Sequence, residues 1–146
     1  MFLPAEFAWA EPVLIAAGVV FVVGLIGNVL SFSNRFVNAF VTAILFAAIF
    51  GTLFYLSKAQ VPPTPVHFLP GDFAWLEPVL VAAAVVFVVD LIGNVLSFSN
   101  RFVNALVTAL VFAAIFGGLT YMAKQEGIEV PTITVPDPAA APTPAP

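Results

Sequence analysis

From Val13 to Leu56 the chain runs for 44 residues without a proline and with one charged residue, Arg35. From Val79 to Met122 it does so again, with only Asp90 and Arg101 charged. As a single helix such a run would extend ~66 Å at ~1.5 Å per residue, about twice the ~30 Å hydrocarbon core of a bilayer. Each run therefore has to turn back. The only polar cluster in the first run is Ser31-Phe32-Ser33-Asn34-Arg35, with its copy at Ser97-Phe98-Ser99-Asn100-Arg101. A Ser or Asn side chain can accept from the free N–H groups of a new helix, so Ser33 or Asn34 is the expected N-cap of the returning helix.

Composition decides what surrounds these hairpins. Of 146 residues, 62% are AVILMFWYC and only 8% are DEKR, where soluble domains carry about 25% charged residues. A water-soluble four-helix bundle would need polar outer faces, and these are absent. The expected fold is an all-α membrane protein, four transmembrane helices as two tandem, parallel-repeat hairpins. The helices are placed at about residues 12–31, 35–57, 78–97 and 101–123. Pro12 and Pro78 fall where a first helical residue belongs, behind Glu11 and Glu77, whose charge suits the positive end of a helix dipole.

The two hairpins are one unit written twice. Phe2 to Lys58 aligns on Phe68 to Lys124 at a constant offset of 66 without a gap, and 44 of the 57 pairs are identical. This divides the chain into a first hairpin repeat (1–58), a proline-rich connector (59–67), a second hairpin repeat (68–124) and a Pro/Ala-rich tail (125–146). Each hairpin returns to its starting side, so the repeats run parallel and an inverted-repeat transporter architecture is disfavoured. The Lys/Arg count ties between the two sides, Arg35 and Arg101 at the turns against Lys58 and Lys124 opposite. Turns in the cytoplasm and both termini outside is the expected orientation. No signal peptide is expected, because the N-terminus lacks a basic region and the first apolar run is long enough to span.

Trp9, Trp75, Phe7 and Phe73 precede the first helices of the two hairpins, and Tyr55 and Tyr121 end the second ones. These rings fit an aromatic belt at one interface, with Arg35 and Arg101 as anchors at the other. On the second helix of each hairpin small residues recur every fourth position: Ala39, Ala43, Ala47 and Gly51, then Ala105, Ala109, Ala113 and Gly117. Such a stripe lets another helix approach closely in lipid. The sequence leaves open whether the partner is the same chain, a second copy or another protein.

With the turn centred at Ser33, Asn28 comes level with Asn38 and Gly24 with Thr42. In the second repeat Asn94 comes level with Asn104, and Asp90, which stands where the first repeat has Gly24, comes level with Thr108. The asparagines are expected to pair across each hairpin as inter-helix hydrogen bonds. Asp90 is the one ionisable side chain deep in the apolar runs, ~18 Å along its helix from Pro78. Burying a lone carboxylate there is costly, so it is expected protonated or paired, close to Thr108.

Much chemistry is excluded. With no cysteine, disulfides, thiolate metal sites and thiol nucleophiles are absent, and one histidine, His67 in the connector, cannot build a multi-histidine metal or haem site. The formal net charge of −4, carried mostly by acidic residues in the short connecting segments, argues against nucleic acid or an anionic lipid surface as the partner. No catalytic residue, cofactor or metal ligand is indicated, and the chain is expected not to be an enzyme.

Three function classes remain. The first is an accessory subunit of a larger membrane complex, photosynthetic or respiratory by analogy, with other membrane subunits, lipid or further copies of itself as partners. The second is an ion-translocating ring subunit using Asp90. Tandem hairpins, a polar turn on one side and one carboxylate for four helices together resemble the layout of the proteolipid c subunits of rotary ATPases, which would imply proton or ion passage through a ring. The chain departs from that family in VLIAAGVVFVVGLIG, which lacks the glycine-repeat first helix. It departs again in SFSNRF, which lacks the turn proline, and in placing Asp90 on a hairpin's first helix. The third class is a small carrier or lipid-binding membrane protein.

Overall fold

The computed structural model of the chain describes residues 2–30, 34–57, 68–96 and 100–127. Ser31 to Ser33, Ser97 to Ser99, the connector with His67, and the tail beyond Gly127 lie outside the described residues. The described residues hold four long helices: α1 (Glu11–Leu30), α2 (Arg35–Leu56), α3 (Glu77–Leu96) and α4 (Arg101–Gln125). All four are long and apolar enough to cross a membrane, and the fold is the expected all-α pair of hairpins. A helix of 20 residues, the length of α1 and of α3, spans ~30 Å, the thickness of the hydrocarbon core. The outward side chains are as apolar as the interior, with Leu14, Val22, Phe40, Ile44, Leu110 and Ile115 all exposed.

The local chemistry of the helix starts accounts for their positions. Asn34, in extended geometry, caps α2 with its side-chain oxygen accepting from the N–H of Phe36 at 2.9 Å and of Val37 at 3.3 Å. Asn100 repeats the same bonds to Phe102 and Val103 on α4. Of the two caps the turn sequence offered, Asn34 is the one used.

Helices α1 and α3 begin one residue earlier than expected because each continues directly from a short 3-10 helix, Ala5–Ala10 before α1 and Gly71–Leu76 before α3. Glu11 does more than face a helix dipole. Its carboxylate folds back to accept from the N–H of Phe2 at 2.6 Å and of Leu3 at 2.8 Å, and it is 2% exposed. Glu77 accepts from the N–H of Leu69 at 2.8 Å in the same way. Backbone donors ahead of the 3-10 helix would otherwise lie unsatisfied in an apolar setting, and a carboxylate that reaches them makes charge-assisted bonds.

The hairpins interlock. α1 packs most extensively on α4 and α2 on α3, while the contacts within each hairpin are less extensive. The small-residue stripes make these cross-hairpin seams. A methyl group added at Gly51 would meet Val79 of α3 at 3.4 Å, and one at Gly117 would meet Val13 of α1 at 3.4 Å. Ala39, Ala43, Ala105 and Ala109 are buried along the same seams, with Ala47 and Ala113 partly so. The partner of each stripe is therefore the first helix of the other hairpin in the same chain.

Candidate functional site

One face of α2 holds Asn38, Thr42, Phe46, Phe50 and Phe54 at every fourth position, all buried, and α4 repeats it as Asn104, Thr108 and Phe112, then the half-buried Phe116 and the buried Thr120. The bundle interior is therefore layered along its axis. Toward the turns it is lined by amides and hydroxyls, and beyond them it is filled by phenyl rings. Phe46 stacks on Phe50 at 5.2 Å and meets Phe112 at 5.7 Å, and Phe112 stacks on Phe116 at 5.3 Å.

Within the polar layer the expected pairing across each hairpin does not occur. Asn28 accepts from the Asn104 amide at 3.3 Å and donates to the carbonyl of Arg101 at 3.1 Å, so it bonds to α4 of the other hairpin and not to Asn38. Being level is not the same as facing. Gly27 is the α1 residue turned toward α2, where a methyl group would lie 3.1 Å from the Thr42 hydroxyl and 3.7 Å from Asn38 Oδ1. Asn28, one residue and ~100° further round the helix, points to α4 instead.

Asn94 does not pair with Asn104 either. Its amide donates to Asp90 Oδ2 at 3.2 Å, one turn back on α3. Asp90 is 3% exposed, and the Thr42 side chain of α2 lies near its carboxyl group. Gly93 is the α3 residue set against Thr108, where an added methyl group would lie 3.2 Å from the hydroxyl, and the threonine found near Asp90 is Thr42 of the other hairpin where Thr108 was expected.

The oxygens Oδ1 of Asn38 and of Asn104 are buried without a hydrogen-bond partner. Each sits over a glycine of its hairpin partner, Gly27 or Gly93, where a Cα–H can act as a weak donor. Because the arrangement occurs in both repeats and only the second has a carboxylate at that level, Gly24 standing in the first, it belongs to helix packing and not to Asp90.

At the opposite end the aromatic residues pair between hairpins. Trp9 lies 5.3 Å from Tyr121, and Trp75 lies 5.3 Å from Tyr55. The Lys124 ammonium sits 5.9 Å from the Trp9 ring and donates to the Glu6 carbonyl at 3.5 Å. These rings tie each 3-10 segment to the last turn of the other hairpin's second helix. At the turn end Arg35 and Arg101 are exposed.

The sequence reading missed the Asn-Thr-Phe stripe and the carboxylate clasps of Glu11 and Glu77. The stripe was legible as a four-residue repeat running across residue classes. The clasps had no such signal, since they depend on a chain reversal eight or nine residues upstream. Among the described residues no three His, Cys, Asp or Glu side chains gather as a metal site.

The geometry is that of an integral membrane protein with four candidate spans, an aromatic half of the interior and a polar half toward the turns. Compared with protein-family models, with curated proteins and with solved structures, the chain matches none.

Proposed function

We propose that this protein is a non-catalytic subunit of a larger membrane complex, photosynthetic or respiratory in class, that works by contact with neighbouring subunits. The observation that carries this reading is the filled interior. The Phe46, Phe50, Phe112 and Phe116 rings occupy the space between the helices, and the polar side chains of the other half are engaged with one another or seated on glycine. What the fold leaves for interaction is its apolar outer surface. The small-residue seams are used within the chain, so contact with neighbours falls to the outward helix faces and to the tail.

The tail, 125–146, carries six prolines among its 22 residues. Such a segment has little conformational freedom to lose, so laying it extended on another subunit costs less ordering entropy than a glycine-rich tail would. Deleting Glu126 to Pro146 should weaken retention in the native complex, measured by co-purification from mild detergent, while helical circular dichroism stays unchanged. Full occupancy of the truncated chain, or transport by the isolated intact protein, would refute the proposal. Passage of ions by way of Asp90 is the less favoured alternative, since Phe46 and Phe112 fill the turn beyond Thr42 and Thr108.

A further inference from the structure

Where α2 and α3 meet on the outer surface, they enclose an open groove of about 470 Å³ with an apolar lining. Its volume lies within the ~300–1,000 Å³ of small-ligand sites. Phe36 and Phe40 stack at 6.4 Å on one side, Phe87 stands edge-on to Phe36 at 5.4 Å, and the small side chains of Ala47 and Ala84 leave the depression between the helices.

Two features say what fits there. Along α2 the groove runs from Phe36 to Ala47, ~16 Å at ~1.5 Å per residue, which is about half of a ~30 Å hydrocarbon core. An acyl chain reaches that far, from one interface to the midplane. The groove also opens toward the end of the bundle that carries exposed cations. Arg35 and Arg101 are exposed at that end, and Asp90, the carboxylate among the described residues of the turn-side half, is buried in the bundle interior. A guanidinium matches the geometry of a phosphate group.

We propose that this groove seats one acyl chain of an anionic phospholipid from the turn-side leaflet, with the lipid phosphate at the Arg35 guanidinium. The proposal is independent of the accessory-subunit reading. The corresponding face between α1 and α4 has Leu106 in place of Phe40 and Gly18 in place of Ala84, so its walls differ.

Native mass spectrometry of the full-length protein, equilibrated in mild detergent with equal phosphatidylglycerol and phosphatidylcholine, tests this. Retained phosphatidylglycerol should exceed phosphatidylcholine about fivefold, the effect of one basic residue near a lipid headgroup. Arg35→Gln should bring the two lipids close to parity. Ala84→Phe, which fills the groove from an exposed position, should remove one bound lipid equivalent, and Leu119→Phe, exposed on α4, should remove none. Equal retention of both lipids by the unaltered protein would overturn the proposal, as would an unchanged lipid count in a folded Ala84→Phe protein. A dimer that Ala84→Phe abolishes would also overturn it, assigning the groove to a second copy. If Ala84→Phe does not fold, the outcome for Arg35→Gln decides, and an unaltered preference there counts against the proposal.

Discussion

Asn28 and Asp90 show how one residue redirects its neighbours. In the first hairpin a glycine at position 24 leaves Asn28 free to reach Asn104 on the other hairpin. In the second, Asp90 occupies the corresponding place and takes the amide of Asn94 for itself. The two halves are therefore alike in sequence and unlike in hydrogen bonding. A double-mutant cycle of Asn28→Ala with Asn104→Ala should show coupling of roughly 0.6 to 2 kcal/mol, the range for polar pairs between membrane helices. The cycle of Asn28→Ala with Asn38→Ala should show almost none. Reversible unfolding in mixed micelles would measure both, and coupling in the second cycle alone would mean that the hairpins pair internally after all. Asp90→Gly restores the first repeat's residue and releases Asn94. It should leave the native complex assembled and active, read from co-purification and the activity of that complex. Loss of proton-coupled activity in Asp90→Asn with assembly intact would instead make the carboxylate functional.

Among the elements, α2 and α4 do the most to organise the bundle. Each presents two adjacent stripes: Ala39, Ala43, Ala47 and Gly51 toward the other hairpin, and the Asn-Thr-Phe stripe toward the interior. A seam of small residues fixes how closely two helix axes approach, because in lipid the attraction is van der Waals contact rather than escape from water. Ala39 is fully buried, and Ala39→Leu should cost about 1–3 kcal/mol by overpacking. Phe40→Leu, its exposed neighbour, should be close to neutral, as position 106 of the second repeat already carries Leu. Thermal unfolding in detergent separates the two, and an equal effect would show that the stripe is not the packing surface. Aromatic stacking then sets the axial order, since Phe46 and Phe112 meet only if α2 and α4 lie at the same height.

Across the whole molecule, the interlocked hairpins place both turns at one end and both 3-10 segments at the other. Arg35→Cys should be labelled by a membrane-impermeant maleimide from the side opposite to Leu69→Cys and Gly127→Cys. Labelling of all three from one side of intact vesicles would contradict two membrane-crossing hairpins. Which side is cytoplasmic is a separate question that the same labelling answers.

The length of the apolar runs against bilayer thickness, their freedom from proline and a Ser or Asn cap at the start of each returning helix were legible in the sequence, since each is decided by residues close together in the chain. Hairpin topology follows from them without knowledge of any long-range contact. The partners of the polar and small residues were not legible. A level comparison across a turn gives height along a helix axis, whereas contact depends also on rotation about that axis, and one residue changes rotation by ~100°. Only the packing of α1 on α4 and α2 on α3 set that rotation, turning Gly27 and Gly93 to their own hairpin partners and Asn28 and Asp90 to the other hairpin. The Glu11 and Glu77 clasps were beyond a local reading for the same reason: their acceptor oxygens are obvious in the sequence, but the donors reach them only after the chain has folded back over the helix start.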